Sequence, residues 1–281
     1  MNPLLDNAIS ALVRPVPVAI TIAGSDSGGG AGVQTDLLAF SAHGVHGTCA
    51  ITCLTAQNPA GVSGIYPVSP EFVQEQALQI ARFFNIAALK TGMLFNAPII
   101  AAVAEFVRQQ REKNARVPLV LDPVMVATSG ARLLEDNAIT ALATELIPLA
   151  TLITPNLDEA AVLLNRPRPS SRSQMIVVAQ ELHEKFGCAV FLKGGHLNTK
   201  QLTDVFVDET GAMSRLVARR CVHIDTHGSG CTLAAAIAAR LARDESLTDA
   251  VDIAHAYLQA GIRSPVHIGG HDFIDRFPDL V

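Results

Sequence analysis

Residues 16–32 have the sequence VPVAITIAGSDSGGGAG, in which a short apolar run is followed at once by a glycine-rich segment. The run Val16–Ala23 is rich in Val and Ile and has the length of a buried strand. The residues after the glycines show helical spacing, and we expect Leu37, Leu38 and Phe40 to face inward. A strand, a glycine turn and a helix in this order predict the first unit of an α/β fold.

The same alternation of strand and helix signals continues outward from this segment. Predicted strands occupy residues 49–54, 62–68, 86–90, 117–121, 149–153 and 188–193, with a hairpin over 202–207 and 213–219. Predicted helices occupy residues 33–43, 69–83, 96–113, 135–146, 156–164, 173–186, 229–242 and 247–263. This alternation predicts an α/β fold, with a mostly parallel central sheet covered by helices on both faces.

The composition of the 281 residues excludes several classes of protein. Apolar residues make up 49% and charged residues 17%, which is unlike a disordered chain. The net charge is −5 and the pI is near 6.0, so we expect the protein to bind neither nucleic acid nor a membrane. The N-terminus lacks the basic start of a signal peptide, and no apolar stretch has the length of a membrane span. We expect a cytoplasmic protein with an N-terminal arm, residues 1–15, and a single domain, residues 16–281.

Glycine and polar residues cluster where the predicted strands end. Such clusters follow predicted strands at residues 24–32, 92–93, 122–123, 156–159 and 193–196. A further cluster, residues 226–231, precedes a predicted helix. Because ligands bind at the carboxyl ends of the strands in an open parallel sheet, these positions predict one shared cleft.

The first cluster, GSDSGGGAG at residues 24–32, is exceptionally rich in glycine. Glycine permits unusual φ angles and lets a ligand approach the backbone closely. The segment fits neither the phosphate-binding pattern GxxxxGKS/T nor the GxGxxG register of dinucleotide-binding folds. We interpret it as a ligand-contacting loop, the alternative being a tight turn between strand and helix.

The last cluster, Thr-His-Gly-Ser-Gly-Cys at residues 226–231, precedes the helix-forming run TLAAAIAARLA. Gly228 and Gly230 leave the N–H groups of the first helical turn unobstructed. With Ser229 they form a candidate anion site at the positive end of the helix dipole. A phosphoryl group in transfer carries such a charge. The alternative is a glycine-rich helix cap with Ser229 as the capping residue.

The five cysteines form no CxxC pair, which is typical of a reduced intracellular protein. Cys231 lies in the first turn of the last cluster's helix, where the dipole is expected to lower the pKa of its thiol. A thiolate there could accept a proton from a substrate hydroxyl group. The alternative is an inert buried thiol. We assign the other four to the core or to spacer positions: Cys49, Cys53, Cys188 and Cys221.

Four more polar side chains at strand ends are candidates for binding phosphate or metal. Asn156 and Glu159 fit a helix capping box, and the same pair could hold the water of a Mg²⁺ ion beside phosphates. Both interpretations stay open, because one does not exclude the other. We expect Lys193 to reach a phosphate, and Asp122 to lie near the metal with Glu159, through water. The spacing of the histidines indicates no zinc site.

Taken in order, these motifs resemble those of the hydroxymethylpyrimidine/phosphomethylpyrimidine kinases, within the ribokinase-like superfamily. The matching segments are AGSDSGGGAGVQTDL from residue 23, TAQN from 55, KTGML from 90, DPVM from 122, ATSG from 127, LITPNLDEA from 152, KGGH from 193 and THGSGCT from 226. Each motif alone is weak, whereas the ordered set is specific to the family.

The resemblance implies a ribokinase-like three-layer fold with a small strand lid, and a homodimer. It also implies ATP- and Mg²⁺-dependent phosphorylation of 4-amino-5-hydroxymethyl-2-methylpyrimidine, and of its monophosphate, in thiamine biosynthesis. It places the substrate contacts at Gly24, Asp26, Ala31, Gln57, Met93 and Val124. The anion hole and the base that replaces an aspartate of sugar kinases are Gly228, Ser229, Gly230 and Cys231. The residues near ATP are Lys193, Asn156 and Thr226.

Two departures from the family's motifs leave other functions open. Asp225 introduces an acid close to the expected phosphates, and we expect it to weaken phosphate binding. The tail at residues 268–271 matches the family only loosely. Pyridoxal is also a flat heteroaromatic ring with a hydroxymethyl arm, so a pyridoxal kinase is one alternative. A catalytically silent ligand-binding homologue is the other.

Overall fold

The computed structural model of the protein describes residues 15–125, 134–195, 197, 201–221 and 224–278. Within these residues the strands of the large sheet are β1 (Val18–Asp26), β2 (His46–Asn58), β3 (Gly61–Pro67), β4 (Ile86–Thr91), β5 (Leu119–Leu121), β6 (Leu152–Ile153), β7 (Ala189–Leu192), β8 (Gln201–Val207) and β9 (Met213–Arg219). The α-helices are α1 (Gly32–Ala42), α2 (Pro70–Phe83), α3 (Ala97–Lys113), α4 (Asp136–Ala141), α5 (Leu157–Leu164), α6 (Arg172–Phe186), α7 (Ser229–Ala242) and α8 (Leu247–Arg263).

The order of the strands across the sheet is β3-β2-β1-β4-β5-β6-β7-β8-β9. The six strands from β2 to β7 in this order are parallel to one another. Strand β3 at one edge, and β8 and β9 at the other, pair in antiparallel fashion. The predicted mostly parallel α/β sheet is confirmed, and the carboxyl ends of its parallel strands share one edge.

Successive residues of the central strands face two different helical layers. On one side Ile20 and Leu121 pack in a core with helices α2 to α6. On the other side Ala19 and Val120 pack in a core with α1, α7 and α8. Because side chains alternate between the faces of a strand, near-continuous apolar runs cover both faces at once. The three-layer arrangement follows from this pattern.

Helices α2 and α3 begin at the caps that the sequence predicts. The Ser69 side chain accepts a hydrogen bond from the Phe72 N–H, and Pro70 occupies the first turn of α2. The Asn96 side chain accepts the Ile99 N–H in the same way at the start of α3. These caps fix where each helix begins after its strand.

Two local predictions are wrong. Leu38 on α1 is 39% exposed, whereas Phe40 is fully buried. Asp36 and Phe40 are one turn apart on the inner face, and Leu38 lies about 200° around the helix from each of them. The predicted helix 135–146 is only partly α-helical, because α4 continues as a wider π turn over Leu142–Leu146 and a 3₁₀ turn over Ile147–Leu149.

The strand lid is a hairpin at the edge of the sheet. Strand β2 extends past its predicted end at residue 54 and turns back into β3. Strand β1 also runs further than predicted, to Asp26, so the first residues of the glycine segment belong to the sheet. Both extensions carry their residues toward the carboxyl edge of the sheet.

The C-terminal segment forms a structure that the sequence analysis did not predict. Strands β10 (Val266–Ile268) and β11 (His271–Phe273) pair as an antiparallel hairpin apart from the large sheet. The chain then returns to α8, where the Tyr257 hydroxyl group donates a hydrogen bond of 2.7 Å to the Arg276 carbonyl oxygen. The end of the described chain is therefore anchored on the helical layer that contains α7.

No helix of the described residues is both long and apolar enough to cross a bilayer. The predicted N-terminal arm lies outside the described residues except for Pro15, as do the ATSG motif and His196 of KGGH. The division into an arm and a single domain stays a prediction.

Candidate active site

The carboxyl ends of the parallel strands surround a cleft of about 660 Å³. Every residue predicted for the site lines it, from Gly24 and Gln57 on one side to Lys193 and Cys231 on the other. The wall also contains Asp204, Arg220 and His227, for which the sequence predicted no role, and Cys221, which was predicted to be a core or spacer residue. The predicted shared cleft exists, while the roles of its residues stay predictions.

In the first glycine segment, residues 24–32, the Asp26 side chain binds backbone N–H groups of the same segment. The Asp26 carboxylate accepts the N–H groups of Gly28 at 2.8 Å and of Ala31 at 2.9 Å. Burial acts to raise the pKa of Asp26, but hydrogen bonds from His227 and from these amides outweigh it and hold the pKa below its usual value. The Ala31 N–H is therefore occupied, and a backbone contact between Ala31 and a substrate has to use other atoms.

His227 connects the two glycine segments. Its Nε2 atom is 3.1 Å from Asp26 Oδ2 and 3.2 Å from Gln57 Nε2. Its ring also lies against Gly30, where an added Cβ would come within 2.8 Å of the His227 Cδ2 atom. Sequence reasoning missed His227 because a lone histidine has no pattern of its own. Its position beside Gly228 was the one available signal.

The second glycine segment is open. Gly228 caps α7 at a φ of +80°, and the Ser229 N–H turns back to the Thr226 carbonyl oxygen at 3.0 Å. The N–H groups of Gly230 and Cys231 have no backbone acceptor among the described residues. Both residues line the cleft, so their amides are available to an anion. Of the predicted set Gly228, Ser229 and Gly230, the Ser229 N–H is thus already used within the segment.

A cation and a carboxylate flank these open amides. The Lys193 ammonium group donates to Asp122 Oδ1 at 2.8 Å, and the Thr154 hydroxyl group donates to the same oxygen at 2.9 Å. A Cβ built on Gly230 would lie 3.0 Å from Lys193 Nζ and 3.4 Å from Asp122 Oδ2. Lys193 therefore lies within reach of a group bound at the Gly230 amide.

The predicted capping box at the start of α5 is confirmed. Asn156 Oδ1 accepts the N–H groups of Asp158 and Glu159, each at 2.9 Å, and Glu159 Oε2 accepts the Asn156 N–H at 2.7 Å. Burial raises the pKa of Glu159 to about 7; Lys193 opposes the rise and the negative charge of Asp122 adds to it. The cap uses one carboxylate oxygen of Glu159, so a second role for this side chain stays open.

The lowered pKa expected for the Cys231 thiol is wrong. Burial raises its pKa to about 11, although the positive charge of Lys90 and the N–H of Gly32 act in the opposite direction. Removal from water therefore outweighs the helix dipole at this position. The thiol is protonated at neutral pH in the protein without a ligand.

A buried ion pair beneath the cleft was missed by sequence reasoning. Lys90 Nζ lies 2.7 Å from Asp36 Oδ2, and both side chains are fully buried. The Thr21 hydroxyl group donates to the same Asp36 oxygen at 2.6 Å. The signal was a lysine near the end of an otherwise apolar strand, since buried charges are rare unless they are paired. The charge of Lys90 also acts on Cys231.

An apolar wall faces the polar side of the cleft. Met93 Sδ lies 3.6 Å from Cys53 Sγ, and Val124 packs against this pair. An added Cβ at Gly24 would come within 2.7 Å of the Cys53 sulfur, so glycine is needed there for packing. This wall is apolar and the Gln57 amide lines the same cleft, which suits an aromatic heterocycle with a polar edge.

The carboxylate of Asp225 is turned away from the position expected for it. Its Oδ1 atom accepts the His227 N–H at 2.8 Å, and its Oδ2 atom lies 3.3 Å from His271 Nε2. The two departures from the family's motifs, Asp225 and the tail around His271, therefore contact each other. The expectation that an acid repels phosphates in the cleft is not supported by this arrangement.

The comparisons with known proteins agree with this geometry. The family model for phosphomethylpyrimidine kinase matches residues 26–274. The hydroxymethylpyrimidine/phosphomethylpyrimidine kinase of Rhizobium meliloti is 44% identical over 89% of this chain and 96% of its own length. The thiamine biosynthesis bifunctional protein ThiED of Geobacter sulfurreducens is 42% identical over 90% of this chain and 50% of its own length. The ADP complex of Bacillus subtilis pyridoxal kinase superposes with a TM-score of 0.84 at 32% identity, over 93% of this chain and 98% of that chain.

Proposed function

The chain belongs to the phosphomethylpyrimidine kinase family, and we propose that its cleft transfers the terminal phosphoryl group of ATP to the hydroxymethyl group of 4-amino-5-hydroxymethyl-2-methylpyrimidine. The protein is a kinase of thiamine biosynthesis. The second substrate is the monophosphate, which gains a further phosphoryl group in the same cleft.

One observation carries this proposal, namely the open amides at the start of α7. The N–H groups of Gly230 and Cys231 lack acceptors among the described residues, and Lys193 stands beside them. Preorganised N–H groups and a cation stabilise a phosphoryl group as it moves between two oxygens. The apolar wall of Met93 and Val124 lies across the same cleft.

The residues divide the work of the transfer as follows. Met93 and Val124 hold the flat ring, and Gln57 bonds its amino-pyrimidine edge. The hydroxymethyl oxygen forms a bond to the γ-phosphorus as the bond from that phosphorus to the bridging oxygen of ADP breaks. The Cys231 thiol first loses its proton to solvent, which the positive charge of Lys90 favours, and the resulting thiolate then takes the proton of the hydroxyl group. The open amides and Lys193 bind the oxygens of the moving phosphoryl group.

We propose that Asp122 and Glu159 hold Mg²⁺ through water. Both side chains are buried in the wall of the cleft, and carboxylate oxygens are the protein ligands that Mg²⁺ prefers. The charge of Asp122 contributes to the raised pKa of Glu159, which a divalent cation between them would relieve. When bound, the ion would neutralise charge on the phosphates.

A panel of acceptors with ATP and Mg²⁺, analysed by mass spectrometry, tests the proposed function. We expect the hydroxymethylpyrimidine to gain one phosphoryl group and its monophosphate to gain a second. Binding of the pyrimidine in calorimetry without consumption of ATP would instead identify a silent homologue.

Pyridoxal kinase is the second candidate function, and the similarity to the Bacillus subtilis enzyme favours it. The identity of 32% to that enzyme is lower than the 44% to the pyrimidine kinase, which favours the pyrimidine. Pyridoxal belongs in the same panel. A kcat/KM for pyridoxal that exceeds the value for the pyrimidine would reverse the assignment.

We also propose that the protein is a homodimer in the cytoplasm. Each chain would form one domain over residues 16–281. The β2–β3 hairpin supports the dimer, because Tyr66 is 71% exposed and Leu54 is 48% exposed at this edge of the sheet. Exposed apolar side chains on an edge strand favour contact with another chain. Light scattering gives the mass in solution, and a variant that lacks residues 1–15 should keep its activity if the arm is separate from the domain.

A further inference from the structure

Arg276, near the C-terminus, reaches back to the first glycine segment. Its Nη2 atom donates to the Gly30 carbonyl oxygen at 2.9 Å and to the Thr35 hydroxyl group at 3.2 Å. Its Nη1 atom donates to the Ile274 carbonyl oxygen at 2.6 Å. One planar guanidinium group therefore joins the glycine loop, helix α1 and the tail of the chain.

The same guanidinium group lies against the anion-binding segment. The Nη2 atom is 3.1 Å from the position that a Cβ on Gly228 would occupy, and the Gly30 carbonyl oxygen is 1.9 Å from that position. The charge of Arg276 also acts on Cys231. Arg276 thus lies where the two glycine segments meet, beside Gly228, and it does not line the cleft.

The tail that carries Arg276 is itself held firmly. The Tyr257 hydroxyl group donates to the Arg276 carbonyl oxygen, and the Asp275 N–H donates to the Gly261 carbonyl oxygen at 3.1 Å. A Cβ on Gly261 would lie 2.2 Å from the Asp275 carbonyl oxygen, so glycine lets the tail lie directly on α8. The side chain of Arg276 is therefore aimed from a fixed backbone.

The charge of Arg276 is buried without an acidic partner. The residue is 7% exposed, and no carboxylate of the described part of the chain forms an ion pair with it. Its Nε atom has no hydrogen-bond partner among the residues that the structure describes. A buried charge without an ion-pair partner is costly, and burial lowers the pKa of this guanidinium group, although the charges of Asp275 and Asp36 act in the opposite direction. Such a charge is explained if a negative group binds close by during function.

We propose that Arg276 is a positioning residue for phosphoryl transfer, which fixes the two glycine segments against each other and places a positive charge beside Gly228 of the anion-binding segment. This inference rests on the proposed function of the cleft. The hydrogen bond to Gly30 sets the distance between the substrate loop and Gly228. The charge adds to that of Lys193, which lies near Gly230 of the same segment.

The variants R276A and R276K separate these two roles. In R276A we expect kcat to fall on the order of 100-fold, because small displacements of reacting groups have effects of this size. We expect the affinity for the unreactive analogue AMP-PCP, measured by calorimetry, to fall about 10-fold from loss of one nearby charge. R276K keeps the charge but not the planar fork, so it should keep AMP-PCP affinity near the wild-type value and lose about 10-fold in kcat.

Rescue by added guanidinium ion distinguishes this role from a purely structural one. Millimolar guanidinium should raise the kcat of R276A toward the wild-type value, because the ion can occupy the emptied position. The matched control is R263A, since Arg263 is an exposed arginine at the end of α8, and it should show wild-type kcat and no response to the ion.

The outcomes are distinct. A folded R276A with wild-type kcat and wild-type AMP-PCP affinity overturns the proposal. If R276A does not fold, R276K decides, and a folded R276K with wild-type kcat overturns the positioning role. If wild-type protein fails to phosphorylate the pyrimidine, the proposed function fails. The AMP-PCP affinities of wild type and R276A then decide the role of Arg276, because they do not depend on turnover.

Discussion

The two glycine segments of the cleft, residues 24–32 and 226–231, look alike in sequence but differ in what their amides do. In the first, the Asp26 carboxylate accepts the N–H groups of Gly28 and Ala31. In the second, the N–H groups of Gly230 and Cys231 have no acceptor in the described chain. In a glycine-rich loop that contains a carboxylate, the carboxylate accepts hydrogen bonds from the loop's own N–H groups. In a loop without a carboxylate, the N–H groups stay available to an anion.

This difference assigns different work to the two segments. In the proposed reaction, the first is a surface against which the ring lies, and the second is the place where charge develops. The segments are not independent, because a Cβ on Gly228 would lie 1.9 Å from the Gly30 carbonyl oxygen. A change in either segment therefore affects the position of the other.

The largest expected effect is that of C231A on turnover. If the second segment performs the chemistry, loss of the sulfur should lower kcat by about 10²- to 10⁴-fold, the range for a general base, and change KM much less. The measurement is steady-state kinetics with the pyrimidine at saturating ATP. The control is C49A, a half-buried thiol on β2 outside the cleft wall. An unchanged kcat in C231A would reduce Cys231 to a packing residue.

The next prediction concerns the free energy of unfolding. It depends on the buried ion pair between Lys90 and Asp36, which is connected to both segments. Asp36 lies on α1, which follows the first segment, and the charge of Lys90 acts on Cys231 in the second. K90M leaves the buried Asp36 carboxylate without a cation, so the free energy of unfolding should fall by about 3–5 kcal/mol. Urea denaturation measures this loss.

The control for K90M is the double variant K90M/D36L, which removes both charges. It should be more stable than K90M, since replacing a buried pair by apolar groups is often neutral. If the double variant is instead less stable than K90M, the ion pair is not the reason for the loss.

The contact between the segments is tested by G228A against G29A. Both glycines have positive φ angles, +80° and +75°, but an added Cβ meets the Gly30 carbonyl group only at Gly228. G29A should cost about 1 kcal/mol, from the backbone conformation alone. G228A should cost about 3 kcal/mol, because a steric clash adds to the same backbone term. Equal losses in thermal unfolding would show that the two segments can separate freely.

Much of the fold could be predicted from the sequence because its signals are local. Apolar runs of strand length, the cap at Ser69 and the capping box at Asn156 all act within a few residues. The C-terminal hairpin was missed because short exposed strands have no apolar periodicity. Leu38 was wrongly predicted to face inward, because a single exposed leucine does not interrupt the apolar pattern of its helix.

The candidate site was predicted less completely, and for a different reason. Its glycines and polar side chains follow predicted strands in the sequence, so the residues that line the cleft could be predicted. What they do depends on contacts across the fold, as between Lys90 and Asp36 or between His227 and Asp26. The pKa of Cys231 was misjudged because burial is a property of the whole fold, and the helix dipole is a property of one element.

The last prediction concerns D26N, which removes the charge that holds the first segment closed. The carboxylate accepts two amides, and loss of its charge should lower the free energy of unfolding by about 2 kcal/mol at neutral pH. The folded-state pKa of Asp26 lies below its ordinary value, so the unfolded chain binds its proton first as the pH falls. The stabilisation is therefore complete above the ordinary pKa and is lost as the pH falls through the lowered one. The stability difference between wild type and D26N should shrink in acid, whereas D252N, at an exposed site on α8, should change stability little at any pH. A difference between wild type and D26N that stays constant into strong acid would mean that Asp26 does not hold the first segment by its charge.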